Sequence, residues 1–173
     1  MVTYSIEEFK QKYNLVMEFC QCVEYELKFI NHYFLMVDAL PTTDIGNLTM
    51  RELANLLKQS LDDSYFPDCN DLYYNGEDIL AFLFPSIKDR NYWAHNCFSD
   101  LFFNKEDMES LEFSIVYPSI CSRLKRSLAT FDRIYNLCKN YRLKVEKAVN
   151  QIGYSLLDKA YYTKETTERK NEI

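Results

Sequence analysis

Glycine and proline are scarce in this chain, at three and four copies in 173 residues. Folds of many short strands need frequent tight turns, and these two residues supply most of them, so a many-stranded β architecture is disfavoured. A basic excess is also missing. The formal charge is −6. General nucleic-acid binding rests on a spread basic surface, so any RNA contact has to be local. No apolar run approaches the roughly 20 residues of a membrane span. The N-terminus enters a charged, periodic segment without the apolar core of a secretory leader. No membrane partner is therefore expected. There is no Walker loop, no dinucleotide fingerprint and no His-Glu-x-x-His helix. The expectation is a protein without a metal or another cofactor.

The chain is 47% hydrophobic, and its length bounds it to one domain able to bury roughly 70% of its unfolded surface. Cys20, Cys22, Cys69, Cys97, Cys121 and Cys138 mostly fall within helical hydrophobic patterns, where a free thiol acts as a small apolar residue. Cys20 and Cys22 point about 200° apart on a helix, which makes a shared metal difficult. Reduced, mostly buried thiols and a cytoplasmic location are expected.

Helical periodicity dominates. Ile6, Phe9, Tyr13, Val16, Cys20, Val23, Leu27, Ile30, Phe34 and Val37 fall at alternating gaps of three and four. That seam predicts a long helix packed lengthwise on its neighbours. Ser5 and Glu8 form a capping box at its start, and Pro41 ends it after about 33 residues. A second stripe through Phe19, Cys22, Phe29 and Tyr33 gives it two partners. Thr49 and Glu52 form another capping box for a short helix to about Leu61. Asp62 to Gly76 reads as a polar aromatic loop, and Ile79 to Leu83 as a short helix stopped by Pro85. Ser86, supported by Asp89, caps the next helix. Asn104 caps another, which Pro118 either kinks or restarts. A second seam runs through Tyr117, Cys121, Leu124, Leu128, Phe131, Tyr135 and Cys138, breaks at Arg142, and resumes at Val145, Val149 and Ile152. The expected architecture is all-α: a bundle of four to six helices, two of them long and roughly antiparallel, over residues 1–155. Residues 156–173 read as a polar, frayed tail.

The helix opened by Ser86 carries Arg90-Asn91-Tyr92-Trp93-Ala94-His95. Arginine stays charged and grips phosphate in two places, while histidine gives and takes a proton near neutral pH. Phosphodiester chemistry needs both capacities side by side. On an ideal helix Ile87, Ala94, Phe98 and Leu101 face the core. Asn91 and His95 share one flank, and Arg90 lies about 140° from His95. Either Arg90 sweeps across the face, or two copies of the helix meet across a two-fold axis. An ordinary pair of boundary residues beside a core is the plain alternative.

The hexapeptide resembles the motif of the HEPN superfamily (higher eukaryotes and prokaryotes nucleotide-binding): an Arg, a polar residue such as Asn, and a His a few positions on. Leu48-Thr49-Met50-Arg51-Glu52-Leu53 is similar to a short helix recurring in that group. The resemblance spans about residues 5–152 and implies an HEPN-like helical bundle. It further implies a metal-independent endoribonuclease, dimeric through the motif, in a toxin–antitoxin or antiviral defence setting. His95 would then be general base or acid, Arg90 would stabilise the phosphorane, and Asn91 would orient either. RNA is the implied substrate, and an antitoxin or regulatory protein an implied partner. A non-catalytic HEPN module that binds nucleotide, RNA or protein is the alternative. Some HEPN toxins carry a modifiable Tyr two residues after the His. Cys97 stands there in this chain, which argues against that mode of control.

Arg123, Arg126 and Arg133 form a candidate RNA-binding track on the last helix, although a solvated face is the more common explanation of such residues. His32 lacks a nearby Arg and reads as an ordinary helix residue. The aromatic pairs Tyr65-Phe66 and Tyr73-Tyr74 either stack bases or cover the bundle end.

Overall fold

A computed structural model describes residues 3–37, 44–62, 70–97 and 111–170, with the backbone alone at 70, 111–112 and 153–170. Every regular element among the described residues is helical. Helix α1 spans Ile6–Met36, α2 Met50–Asp62, α3 Asn70–Asn91 and α4 Leu111–Lys170. A 3-10 turn, Ile45–Asn47, precedes α2, and a π-helical turn, Tyr92–Asn96, extends α3. Among these residues no helix is long and apolar enough to cross a membrane.

Both expected capping boxes form. The Ser5 amide donates to Glu8 Oε2 at 3.0 Å and the Glu8 amide to Ser5 Oγ at 3.2 Å. Thr49 and Glu52 repeat the pattern at 2.7 and 3.4 Å. The α1 seam is the core: Phe9, Val16, Val23, Leu27, Ile30 and Phe34 are all fully buried. On α4, Cys121, Leu124, Phe131, Cys138 and Val145 face them, while Ile134 and Tyr141 add a second buried stripe. Burial of each large apolar side chain contributes roughly 1.5–3 kcal/mol.

The long helices run parallel, not antiparallel as expected. Tyr117 Oη donates to the Tyr4 carbonyl at 3.2 Å, Phe19 packs on Tyr135 at 6.0 Å between ring centres, and Arg142 meets Glu26 at 2.6 Å. Positions rise together along both helices. Helix α3 supplies the reversal, running opposite to both. It faces α1 through Arg90–Glu24 and α4 through Asn75–Lys144 and Asp89–Arg123.

The sequence reading divided α3 at Pro85 and so missed this return helix. Pro85 lies inside it. Pro85 removes the bond to the carbonyl of Ala81, but Ala81 is exposed to water. Ser86 does not cap a new helix; its Oγ donates back to the Phe82 carbonyl at 2.8 Å. Gly76 marks no loop either. A Cβ there would stand 2.6 Å from Leu61 Cδ1 and 3.1 Å from Tyr141 Oη, so glycine serves the close approach of α2, α3 and α4. Tyr73 and Tyr74 belong to the first turns of α3 and are exposed. Pro118 lies within α4, in its third turn. The polar end of α4 stays helical through Lys170 instead of fraying near residue 155. After Gly153 that segment has neither Gly nor Pro and is rich in helix formers. Pro41, Tyr65, Phe66, Cys69, Phe98, Leu101 and Asn104 lie outside the described residues.

Candidate active site

The hexapeptide straddles the change from α to π geometry. Arg90 and Asn91 close α3, and Tyr92–Asn96 form the wider turn, sealed by the Cys97 amide donating to the Tyr92 carbonyl. Such turns insert slack into a helix and occur often at functional sites. They also rotate less per residue. On such a turn the angle between Arg90 and His95 is smaller than on an ideal helix, and Asn91 and His95 come closer into line. Trp93 and Cys97 align likewise, and both are fully buried. Trp93 takes the core position expected for Ala94, which is only partly buried.

Neighbouring helices brace the turn. Tyr13 of α1 donates its hydroxyl to the Trp93 carbonyl at 3.1 Å. Arg123 of α4 grips Asp89 Oδ1 with Nε at 3.0 Å and Nη2 at 2.6 Å, and Ser127 donates to Asp89 Oδ2 at 3.2 Å. The same guanidinium lies 3.7 Å over the Tyr92 ring, a favourable cation–π distance. Tyr92 in turn meets Trp93 edge-on at 4.9 Å. Trp93 Nε1 is buried without a hydrogen-bond partner.

Each expected site residue has a definite place. Arg90 turns toward α1, where Nη2 meets Glu24 Oε1 at 2.8 Å. Its Nη1 donates to Asn91 Oδ1 at 3.3 Å, and its Nε is buried without a partner. Asn91 and His95 are exposed. Among the described residues His95 makes no hydrogen bond or ion pair, so its imidazole is open to a ligand. Arg90 thus turns to α1 and His95 to water, and no direct contact joins them within one protomer. The arginine track is uneven. Arg123 is committed to Asp89, Arg133 lies 4.0 Å over the Phe82 ring, and Arg126 is exposed.

Glu24, Tyr13 and the Asp89–Arg123 pair were missed in the sequence. The interruption at Arg142 was the one usable signal for such cross-links, since a cation in an apolar seam demands a carboxylate. Arg142 finds Glu26 at 2.6 Å and Glu146 at 3.2 Å. Donating a hydrogen bond to Glu26 raises its pKa above the ordinary arginine value.

Burial pushes the Cys20 and Cys138 thiols up to about 12, with the Glu26 charge adding to the effect at Cys138. Cys97 is buried as well. No group of three or more His, Cys, Asp or Glu among the described residues is arranged to hold a metal ion. No family model matches the chain, and no curated protein or solved structure matches it.

Proposed function

We propose that this chain is a metal-independent endoribonuclease of the HEPN kind, with Arg90, Asn91 and His95 as its reacting group. The observation that carries the reading is the π turn across the motif. It turns His95 to solvent, brings it into line with Asn91 and narrows its angle to Arg90. An exposed imidazole beside a permanent cation is what cleavage through a 2′-hydroxyl requires.

In this reading His95 takes the proton from a ribose 2′-hydroxyl. The 2′-oxygen attacks phosphorus, the bond to the 5′-oxygen breaks, and a second imidazole gives that oxygen a proton. The products are a 2′,3′-cyclic phosphate and a 5′-hydroxyl. General acid–base help of this type is worth roughly a hundred- to ten-thousand-fold. Arg90 stabilises the charge gathering on the phosphorane, a role worth about 3–4 kcal/mol of barrier. Because Arg90 is drawn toward α1, His95 of one copy and Arg90 of another serve one phosphate across a motif-face homodimer. A toxin or defence role, and an antitoxin or other regulator, follow from the same resemblance.

A second reading is favoured by one observation. Glu24 and Asp89 already neutralise Arg90 and Arg123, as a non-catalytic binding or interaction module would tolerate. Chelator-treated incubation with a mixed RNA pool separates the two. Cleavage lost in His95→Ala supports the nuclease, and RNA bound but uncut by wild type supports the module.

A further inference from the structure

The side of α1 opposite the core is not a polar surface. Leu15, Glu18, Tyr25, Phe29, His32 and Met36 follow a strict three–four spacing once Cys22 is counted between them. This seam points about 200° away from Val16, Cys20, Val23 and Leu27. Its apolar members are open to water: Tyr25 is 60% exposed, Met36 62%, Leu15 43% and Phe29 36%. Tyr25 and Phe29 meet edge-on at 4.7 Å and form a ridge. A single exposed apolar residue needs no explanation, but a heptad stripe about 32 Å long does.

We infer that this outward face of α1 takes a second copy of the chain, packed antiparallel about a two-fold axis at Tyr25. The seam is complementary to itself in that orientation alone. Position numbers then sum to about 50 across the axis. Leu15 meets Met36 of the second copy, Cys22 meets Phe29, and Tyr25 meets Tyr25. Glu18 meets His32, twice, an acid against a base. A parallel pairing sets Glu18 against Glu18 and His32 against His32. Polar groups inside a seam fix its register and orientation at some cost in affinity, and like charges set opposite each other exclude the wrong pairing. Glu18 and His32 are exposed and make no ion pair among the described residues, so both are free for this use. The surface is isologous, as a two-fold dimer requires. It is separate from the motif: Glu24, which holds Arg90, lies on another side of α1. This pairing is additional to the motif-face dimer of the proposed function, and the substitutions at positions 18 and 32 tell the two interfaces apart.

The test is the mass of the full-length protein in solution, by sedimentation equilibrium over a wide concentration range. Wild type self-associates, to a dimer through this face alone or to a larger assembly where the motif face pairs as well. Glu18→Lys removes the acid, and His32→Glu opposes two acids; each weakens the dimer by roughly tenfold in Kd. The double variant Glu18→Lys/His32→Glu restores it. Tyr25→Cys in a Cys22→Ser background forms a disulfide-linked dimer on mild oxidation, whereas Leu143→Cys in the same background does not. Glu18, Tyr25, His32 and Leu143 are exposed and Cys22 is half-buried, and circular dichroism confirms that each variant folds. A wild type that stays monomeric overturns the inference. So does a dimer indifferent to the single substitutions, a double variant that fails to recover, or absent cross-linking at position 25. A seam that serves a different protein gives the first of these results.

Discussion

Arg142 and Arg90 each reach α1 and meet glutamates two residues apart, Glu26 and Glu24, on opposite sides of that helix. Arg142 has no buried nitrogen without a partner among the described residues. Two carboxylates hold it, at 2.6 and 3.2 Å, and Glu26 is only 8% exposed. Arg90 has one carboxylate, one long bond to an amide, and an Nε with no partner. The first pair is a structural rivet between α1 and α4. The second leaves a buried Nε unpaired, in the same motif that carries the exposed His95.

Substitutions break or sharpen that contrast. Arg142→Ala is expected to have the largest effect on stability, about 3–5 kcal/mol, because it strands a buried carboxylate. Urea denaturation measures it, and Arg142→Met combined with Glu26→Leu should recover most of the loss, since an apolar pair needs no solvation. Arg90→Ala should cost only about 1 kcal/mol in the same assay, as its pair with Glu24 is partly solvated. Equal losses at the two arginines would erase the distinction. Glu24→Gln should cost still less stability, because glutamine keeps an acceptor for Arg90. It removes the competing charge, however, and should tighten RNA binding severalfold, read by fluorescence anisotropy at fixed salt.

The smallest effect concerns the helix starts. Hydrogen bonds from Ser5 and Thr49 hold the Glu8 and Glu52 carboxyls below their ordinary value of 4.5. Their contribution is complete above that value and disappears as pH falls through the lowered one. Acid titration followed by amide exchange should loosen the first turns of α1 and α2 only below that ordinary value. Glu8→Gln, which removes the titrating carboxyl, should abolish the effect in α1 alone.

The contrast also explains what was legible in the sequence. The seam of α1, both capping boxes and the interrupted seam of α4 could be read directly, because each rests on spacing within one helix. The parallel course of α1 and α4 could not. It depends on α3 being continuous, and Pro85 and Gly76 look like breaks until their surroundings are known. One spares an exposed carbonyl and the other admits Leu61 and Tyr141. At the motif, residue types and spacing were visible, but the π turn was not. It follows from burying Trp93 and Cys97 in one column and from the Tyr13 bond, both long-range facts. Glu24 was hidden for the same reason: nothing within α1 distinguishes it from Glu18, which faces water.

The most direct test is cleavage of a mixed RNA pool in the presence of chelator by wild type and by His95→Ala, with analysis of the new ends. Wild type should yield 2′,3′-cyclic phosphate and 5′-hydroxyl ends, and His95→Ala should fall by at least about a hundredfold while keeping its fold. Equal cleavage by both proteins, or 5′-phosphate ends, would contradict the assignment of His95 to the chemistry.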